Sequence, residues 1–340
     1  MSCDRIVVIM PALNEERTVA GVVKNVPPAI DGMPVKVLVI DDGSSDRTGP
    51  LAREAGAEVI RNPRSLGVGM AFRTGLRVAL DMGAAVIVSI DSDGQFNPQD
   101  IPKLVEPILA GDSDMVTASR FLDPALTPNM PWVKKWGNRR MANLVSRLTG
   151  QTFCDVSCGF RAYSRRAAAS LNLTGKFTYT QEVFLCLAFR NLAIKEVPVE
   201  VRGTREFGES RVASNLLRYA MQTSKIIFRC YRDYRPMRFF GTIATALICI
   251  GVVFWGFLGG HYLLAHRFSP HIWSGFVGAV LVGFGLLALI TGLLADMLDR
   301  IRMGTEELLR EQRMKAGREP SVVPGARDRY TTDSQEGRTQ

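Results

Sequence analysis

Two uncharged stretches constrain this chain more than any other feature. Phe239 to Leu264 runs for 26 residues and Ile272 to Ala295 for 24 without one Asp, Glu, Lys or Arg. At ~1.5 Å rise per residue, either stretch as a helix outreaches the ~30 Å hydrocarbon core of a bilayer, so both are expected to span it. A helical hairpin buried in a soluble core is the competing arrangement, and so long an uncharged pair argues against it. Arg267 is the one fixed charge in the short link between them, whereas Arg300, Arg302, Arg310, Arg313 and Lys315 follow the second stretch. Ahead of the first stretch, six basic residues (Arg218, Lys225, Arg229, Arg232, Arg235, Arg238) face one acid, Asp233. Such a bias places both flanks in the cytoplasm. The net charge of +9 is thereby explained by a membrane surface. No aromatic and basic single-strand platform accompanies it, so nucleic acid is not an expected partner.

Before the spans, composition and patterning describe an α/β protein. Hydrophobic residues make up 46% of the chain, enough for a buried core. From residue 5 to about 120, β-branched runs (6–10, 35–40, 58–60, 86–90 and 115–118) alternate with helical spacing at 18–23, 48–55, 68–80 and 101–109. That alternation predicts a mostly parallel sheet, with Asp46 as an N-cap. Residues 132–201 are less regular: a basic helix over 134–148, a Gly-Phe-Arg turn, a helix around 182–189 and a strand over 194–201. In 212–231, Leu216, Ala220, Ile227 and Tyr231 share one face of an interfacial amphipathic helix. The resulting plan is an α/β domain over 1–211, the interfacial helix over 212–236, a hairpin over 237–298 (spans 239–264 and 272–295) and a tail over 299–340, disordered after 315. The six cysteines are scattered, which suits a reduced, cytosol-facing domain and offers no zinc site. The N-terminus has no signal-peptide pattern.

In an open parallel sheet, ligands bind beyond the carboxyl ends of the strands. The run ending at Ile90 delivers Asp91-Ser92-Asp93-Gly94-Gln95, two hard carboxylate ligands two residues apart, suited to Mg²⁺ or Mn²⁺ bridging a diphosphate. A solvated turn at Gly94 gives the same pattern. A second acidic strand end, Asp41-Asp42, favours the metal reading and is placed to accept hydrogen bonds from a nucleotide base and ribose. Gly67-Val68-Gly69 opens a helix, but Phe72 stands where a dinucleotide fingerprint needs glycine, so a nicotinamide cofactor is excluded.

Taken in order, PALNEE, DDGSSD, GVGMAFRTGL, DSDGQ, SRF, DVSCGFRAYSR and REFGESR resemble family 2 glycosyltransferases, in the dolichyl-phosphate mannose synthase and polyprenyl-phosphate glycosyltransferase branch. The resemblance covers residues 5 to about 230. It implies a GT-A domain in which Pro11, Asn14, Glu15, Asp41 and Asp42 line the nucleotide pocket, and Asp91, Asp93 and Gln95 hold metal and diphosphate. It further implies Arg120 near the sugar or diphosphate, and Arg205, Ser210 and Arg211 facing phosphates. Arg211 stands where that family usually has lysine, which keeps the charge and changes the geometry.

The implied reaction transfers a sugar from GDP-mannose or a UDP-hexose to a polyprenyl (dolichyl or undecaprenyl) phosphate. That acceptor, with a second pKa near ~6, is mostly ionised at neutral pH and needs no strong base. Direct displacement inverts the anomeric centre. Arg229, Arg232 and Arg235 either grip the acceptor phosphate or attract anionic lipid, and Glu182 either orients a substrate or sits on a helix surface. Two rival functions remain: a non-catalytic membrane sensor or scaffold that binds nucleotide-sugar, and a processive polysaccharide synthase. The latter lacks here a multi-span channel and a Q-x-x-R-W segment.

Overall fold

The computed structural model describes residues 5–128, 130–173, 179–202 and 216–316. Ile227–Glu307 form one compact unit, and the residues before and after it form the other.

The larger unit is built around β1 (Ile6–Ala12), whose first five residues are fully buried. An unbroken apolar run of this kind belongs to a strand covered on both faces. After it come α1 (Val19–Lys24), β2 (Ala29–Ile30), β3 (Met33–Asp41), α2 (Thr48–Glu54), β4 (Glu58–Arg61), α3 (Val68–Asp81) and β5 (Val86–Ser89). The chain continues through α4 (Ile101–Leu109), β6 (Met115–Ser119), α5 (Trp132–Thr149), β7 (Arg161–Ser164), α6 (Arg165–Ser170), α7 (Thr180–Phe189) and β8 (Ile194–Pro198). The strands make an eight-stranded sheet in the order β2-β3-β1-β5-β7-β6-β8, with β4 also paired to β3.

β1 pairs in parallel with β3 and β5, β3 with β4, and β6 with β8. The carboxyl ends of β1, β3 and β5 therefore meet at one edge. β7 runs antiparallel between β5 and β6. This corrects the turn expected at Gly-Phe-Arg: Arg161 opens a central strand, disguised by a charged residue that is fully buried. α3 lies tight on the sheet because Gly75 has no side chain. A Cβ there would meet Ile40 Cδ1 at 3.0 Å and Ile9 Cβ at 3.2 Å.

The smaller unit holds the end of α8 (Leu216–Tyr234), all of α9 (Pro236–Ala265) and most of α10 (Ile272–Ala316). α9 and α10 are long and apolar enough to cross a membrane, and their outward side chains, such as Val253, Leu264 and Phe276, are exposed. They pack through small residues, the usual device where lipid removes any hydrophobic drive between helices. Gly278, Gly285 and Gly292, seven residues apart, face Trp255, Ile248 and Phe240 respectively. Arg302 joins the end of α8 to α10, its guanidinium 4.2 Å from the Tyr234 ring centroid and ion-paired to Glu306 at 3.0 Å. α10 passes Ala295 without a break, so the segment expected to begin a tail at 299 is helical to Ala316. Near that end, in the larger unit, Arg165 Nη2 donates to the Arg313 and Met314 carbonyls, and Arg313 Nη1 donates to those of Ala169 and Leu171.

A Cβ at Gly285 would lie 2.6 Å from Ile248 Cγ1 and 3.1 Å from the Ala244 carbonyl oxygen. Gly285→Val is expected to overpack the hairpin and destabilise it by about 1–3 kcal/mol. Thermal melting of the detergent-solubilised protein should record the loss. Gly283→Val, whose Cβ meets nothing within 4 Å, is the matched control and should melt close to wild type.

Candidate active site

The loops leaving β1, β3 and β5 are tied to one another. Asn14 sits in the left-handed region at φ 54° and its Oδ1 accepts from Ser45 N at 2.8 Å, while its own N–H donates to Ser44 Oγ at 3.0 Å. Glu15 N donates to Thr48 Oγ1 at 2.8 Å. Asp46 accepts from Thr48 N at 3.0 Å and from Glu16 N at 3.2 Å, so it caps the start of α2 from one position before the residue preceding the helix, Arg47. Burial pushes against ionisation at Asp46, but these hydrogen bonds outweigh it and hold its carboxyl below the usual range. Ser92 Oγ donates to the Pro11 carbonyl at 3.0 Å, closing the third side.

Asp41 and Asp42 both turn into this loop cluster. Asp42 is buried and accepts from Asn62 Nδ2 (2.7 Å), Ser65 Oγ (2.8 Å), Leu66 N (3.0 Å) and Gly67 N (2.9 Å). Asp41 Oδ1 accepts from Ser44 N at 2.8 Å, and Oδ2 faces Arg61 Nε at 3.6 Å. Their carboxylates shape the loops that follow β3 and β4. Gly43 (φ 78°) and Gly67 (φ 95°) supply the left-handed turns on either side.

The acidic pair after β5 is differently placed. Asp93 is buried and its Oδ1 accepts from Gln95 N at 3.0 Å, a tight turn that fixes the second carboxylate relative to the strand. Asp91 is half-buried against Gly159, where a Cβ would come within 2.9 Å of Asp91 Oδ2. Only glycine leaves that carboxylate its room. Tyr179 stands just before α7. Its hydroxyl is 3.2 Å from Ser89 Oγ, and its ring is stacked on Phe72 with centroids 3.9 Å apart. Burial, then the charge of Asp91, pushes the Tyr179 phenol far up, so it stays protonated.

Arg120 follows β6 and is held by a residue 35 positions later. Its Nε and Nη2 reach Asp155 Oδ2 and Oδ1 at 2.6 and 2.9 Å, and Nη2 also donates to Ser157 Oγ at 2.6 Å. Asp155 is fully buried. Burial alone would raise its pKa, but the Arg120 charge and hydrogen bonds hold it below the usual carboxylate range. Glu196 of β8 fixes this segment by accepting from Cys154 N and Asp155 N, each at 2.8 Å. A fork locked in this way is a cation fixed at the end of β6.

The segment after the acidic pair zips to the end of the domain. Phe96 bridges Val201, and Arg202 N donates to the Gln95 carbonyl at 3.1 Å. A polar cleft of about 640 Å³ opens here, lined among others by Arg17, Thr18, Gly94, Gln95, Glu200 and Arg202. Arg205, Ser210 and Arg211 follow Arg202 in the chain and lie outside the described residues. Pro11, Asn14, Glu15, Asp41, Asp42, Asp91, Asp93 and Gln95 do converge on one edge of the sheet. Arg229 and Arg232 lie in the smaller unit, where both are exposed and Arg232 is ion-paired to Asp233 at 2.8 Å. Glu182 is buried, which overturns its placement on a helix surface. Asp155, Ser157, Gly159, Arg161 and Tyr179 went unassigned in the sequence. The first four stand in the DVSCGFRAYSR motif that carries the family resemblance, of which only Gly-Phe-Arg was read structurally, as a turn.

Residues 7–171 match the family model described as Glycosyl transferase family 2. Among curated relatives, the UDP-N-acetylglucosamine–dolichyl-phosphate N-acetylglucosaminyltransferase of Methanococcus voltae is 33% identical over 57% of this chain and 84% of its own. The polyprenol monophosphomannose synthase of Mycolicibacterium smegmatis is 31% identical over 64% of this chain and 84% of its own. Among solved structures, glucosyl-3-phosphoglycerate synthase from Mycobacterium tuberculosis, in complex with Mn²⁺ and UDP-glucose, is 25% identical. It covers 67% of this chain and 79% of that one with a TM-score of 0.53.

Asp155→Asn is expected to destabilise the larger unit by about 3 kcal/mol, because it leaves the Arg120 charge mostly buried without its counter-ion. The pH profile gives the sign. A depressed folded pKa contributes stability above the unfolded value of ~3.9 and loses it as pH falls through the folded value. The melting difference between wild type and Asp155→Asn should stay constant from neutral pH to about 5 and shrink only below about 4.

Proposed function

This chain belongs to glycosyl transferase family 2 and is a glycosyltransferase, and we propose that it transfers a hexose from a nucleotide-sugar diphosphate to a polyprenyl phosphate at the cytoplasmic face of a membrane. One observation carries this reading. A single chain joins an Asp91/Asp93 pair at the carboxyl edge of a parallel sheet to two helices long and apolar enough to cross a bilayer. A soluble acceptor would not require the second feature. The two named relatives support the acceptor class, since their names specify dolichyl phosphate and a polyprenol monophosphate.

The proposed division of the chain follows the same logic: a transferase domain over 1–211, an interfacial segment over 212–236, a hairpin over 237–298 and a C-terminal segment over 299–340. Positive flanks on both sides of the hairpin support cytoplasmic ends. α5 suits an adjoining lipid surface. It contains no acid and exposes Trp132, Trp136 and Leu144 beside Lys134, Lys135, Arg139 and Arg140.

A divalent cation fits the acidic pair. Both donors are hard carboxylate oxygens, and the absent side chain at Gly159 keeps Asp91 accessible. Among the described residues no three His, Cys, Asp or Glu side chains cluster, so Mg²⁺ or Mn²⁺ held by Asp91 and Asp93 would complete its shell with donor phosphates and neutralise their charge. The solved M. tuberculosis synthase, which holds Mn²⁺ with UDP-glucose, supports this choice. Pro11, Asn14, Glu15 and the loop shaped by Asp41 and Asp42 frame the nucleoside. Arg120, fixed by Asp155, stands ready for the charge on the departing diphosphate, and Gln95 holds the mouth of the cleft to Arg202.

An oxygen of the acceptor phosphate forms the new bond to the anomeric carbon. The bond from that carbon to the donor's β-phosphate oxygen breaks, and the nucleoside diphosphate leaves with the electron pair. The configuration inverts. Since the nucleophile is already ionised, the protein's task is placement and charge stabilisation. Arg205, Ser210, Arg211, Arg229 and Arg232 are the proposed acceptor-phosphate contacts.

Membranes containing the protein should move label from one nucleotide-sugar into the lipid fraction when polyprenyl phosphate and Mn²⁺ are present. Asp93→Asn should cut that transfer by at least ~10²-fold while leaving the protein folded and membrane-bound. Full activity of this variant in chelator would sink the metal assignment. Binding of labelled donor with no transfer to any acceptor would instead identify a sensor.

A further inference from the structure

Behind Asp91 lies a buried polar group that the transfer reaction leaves without a role. Ser89, the last residue of β5, stands two residues before Asp91 and projects to one side of the sheet. Arg161 is the register partner of Ser89 across β5 and β7, which puts it on that side as well. Tyr179 closes the group: its hydroxyl meets Ser89 Oγ at 3.2 Å while its ring lies flat on Phe72, 9° from parallel.

Arg161 is fully buried. Its Nη1 donates to the Thr180 carbonyl at 2.8 Å and Nη2 to the Val156 carbonyl at 3.2 Å, and its guanidinium lies 4.7 Å from the Phe184 ring centroid. Among the described residues it makes no ion pair. A guanidinium spent on carbonyls in this way fixes the backbone, and the backbone it fixes is that of the residue after Tyr179.

We infer that Tyr179 is a positioning residue for the metal-binding carboxylate Asp91: its hydroxyl, bonded to Ser89, holds the end of β5 from beneath, and Arg161 holds Tyr179 in place through the Thr180 carbonyl. The inference rests on the metal reading above. Asp91 lies against the bare backbone of Gly159, and Ser89, two residues before it, is held by this hydroxyl. The same arrangement ties the start of α7, with Glu182 one turn in, to the strand that carries the acidic pair.

Tyr179→Phe removes only the hydroxyl and keeps the stack on Phe72, so the full-length protein in nanodiscs should fold and melt as wild type does. Free Mn²⁺ measured by electron paramagnetic resonance, with UDP or GDP present, reports the affinity of the site without turnover. The variant is expected to bind Mn²⁺ ~10-fold more weakly, the usual scale for a group that orients a metal ligand. Ser89→Ala should weaken binding too, and the double variant should be no worse than Tyr179→Phe, because the two hydroxyls act as one unit. A Tyr179→Phe affinity within about twofold of wild type overturns the inference, as do fully additive losses. Wild-type protein that takes up no Mn²⁺ with either nucleotide overturns the metal reading itself and this inference with it.

Discussion

The parallel pairing of β1 with β3 and β5 is the constraint from which the rest of the larger unit follows. Parallel strands all end at the same edge, so the chain must leave β1, β3 and β5 in three neighbouring loops. Backbone groups there have lost their sheet partners and must be satisfied locally. Asn14, Asp41, Asp42, Asp46 and Ser92 do this, each bridging from its own loop or to the next. The outcome is a rigid polar rim. Asp91 and Asp93 sit on it, the second fixed by the Gln95 N–H, and under the proposed function such a preset geometry would serve a metal and a diphosphate.

The antiparallel strand β7 adds the second half of the site. By lying between β5 and β6, it brings Gly159 beside Asp91 and carries Asp155 toward Arg120 at the end of β6. The acidic strand end and the Arg120 guanidinium are thus joined through one short segment, residues 154–161. Donor charge would be met from both directions: carboxylates and their cation on one flank, a guanidinium locked by a buried carboxylate on the other. This fits a reaction whose nucleophile is already an anion and whose leaving group carries most of the charge to be stabilised.

What could be read in advance follows from range and burial. β1, β3 and β5 were legible because strands covered on both faces are continuous β-branched runs, and the spans because they lack charge altogether. The acidic pair was legible because it stands at the end of such a run. β7 was hidden: it is four residues long and starts with a buried arginine, which patterning reads as exposed. The link between Arg120 and Asp155 was also hidden, since no local rule connects residues 35 positions apart. Asp41 and Asp42 were read as ligand groups, whereas much of their hydrogen-bonding capacity goes into folding the loops. Glu182 was misjudged because the burial of α7 on nearly every side leaves no polar face to recognise.

The central claim is that one rim, built by three parallel strand ends, holds a divalent cation and the donor diphosphate together. It is tested most directly by anomalous diffraction from crystals of the protein grown with Mn²⁺ and a nucleoside diphosphate. The account predicts one strong manganese peak about 2.0–2.2 Å from carboxylate oxygens of Asp91 or Asp93, with diphosphate oxygens completing its shell and the nucleoside over the loops from Pro11 and Asp42. Manganese bound elsewhere, or a nucleotide seated away from this rim with the acidic pair bare, would contradict it.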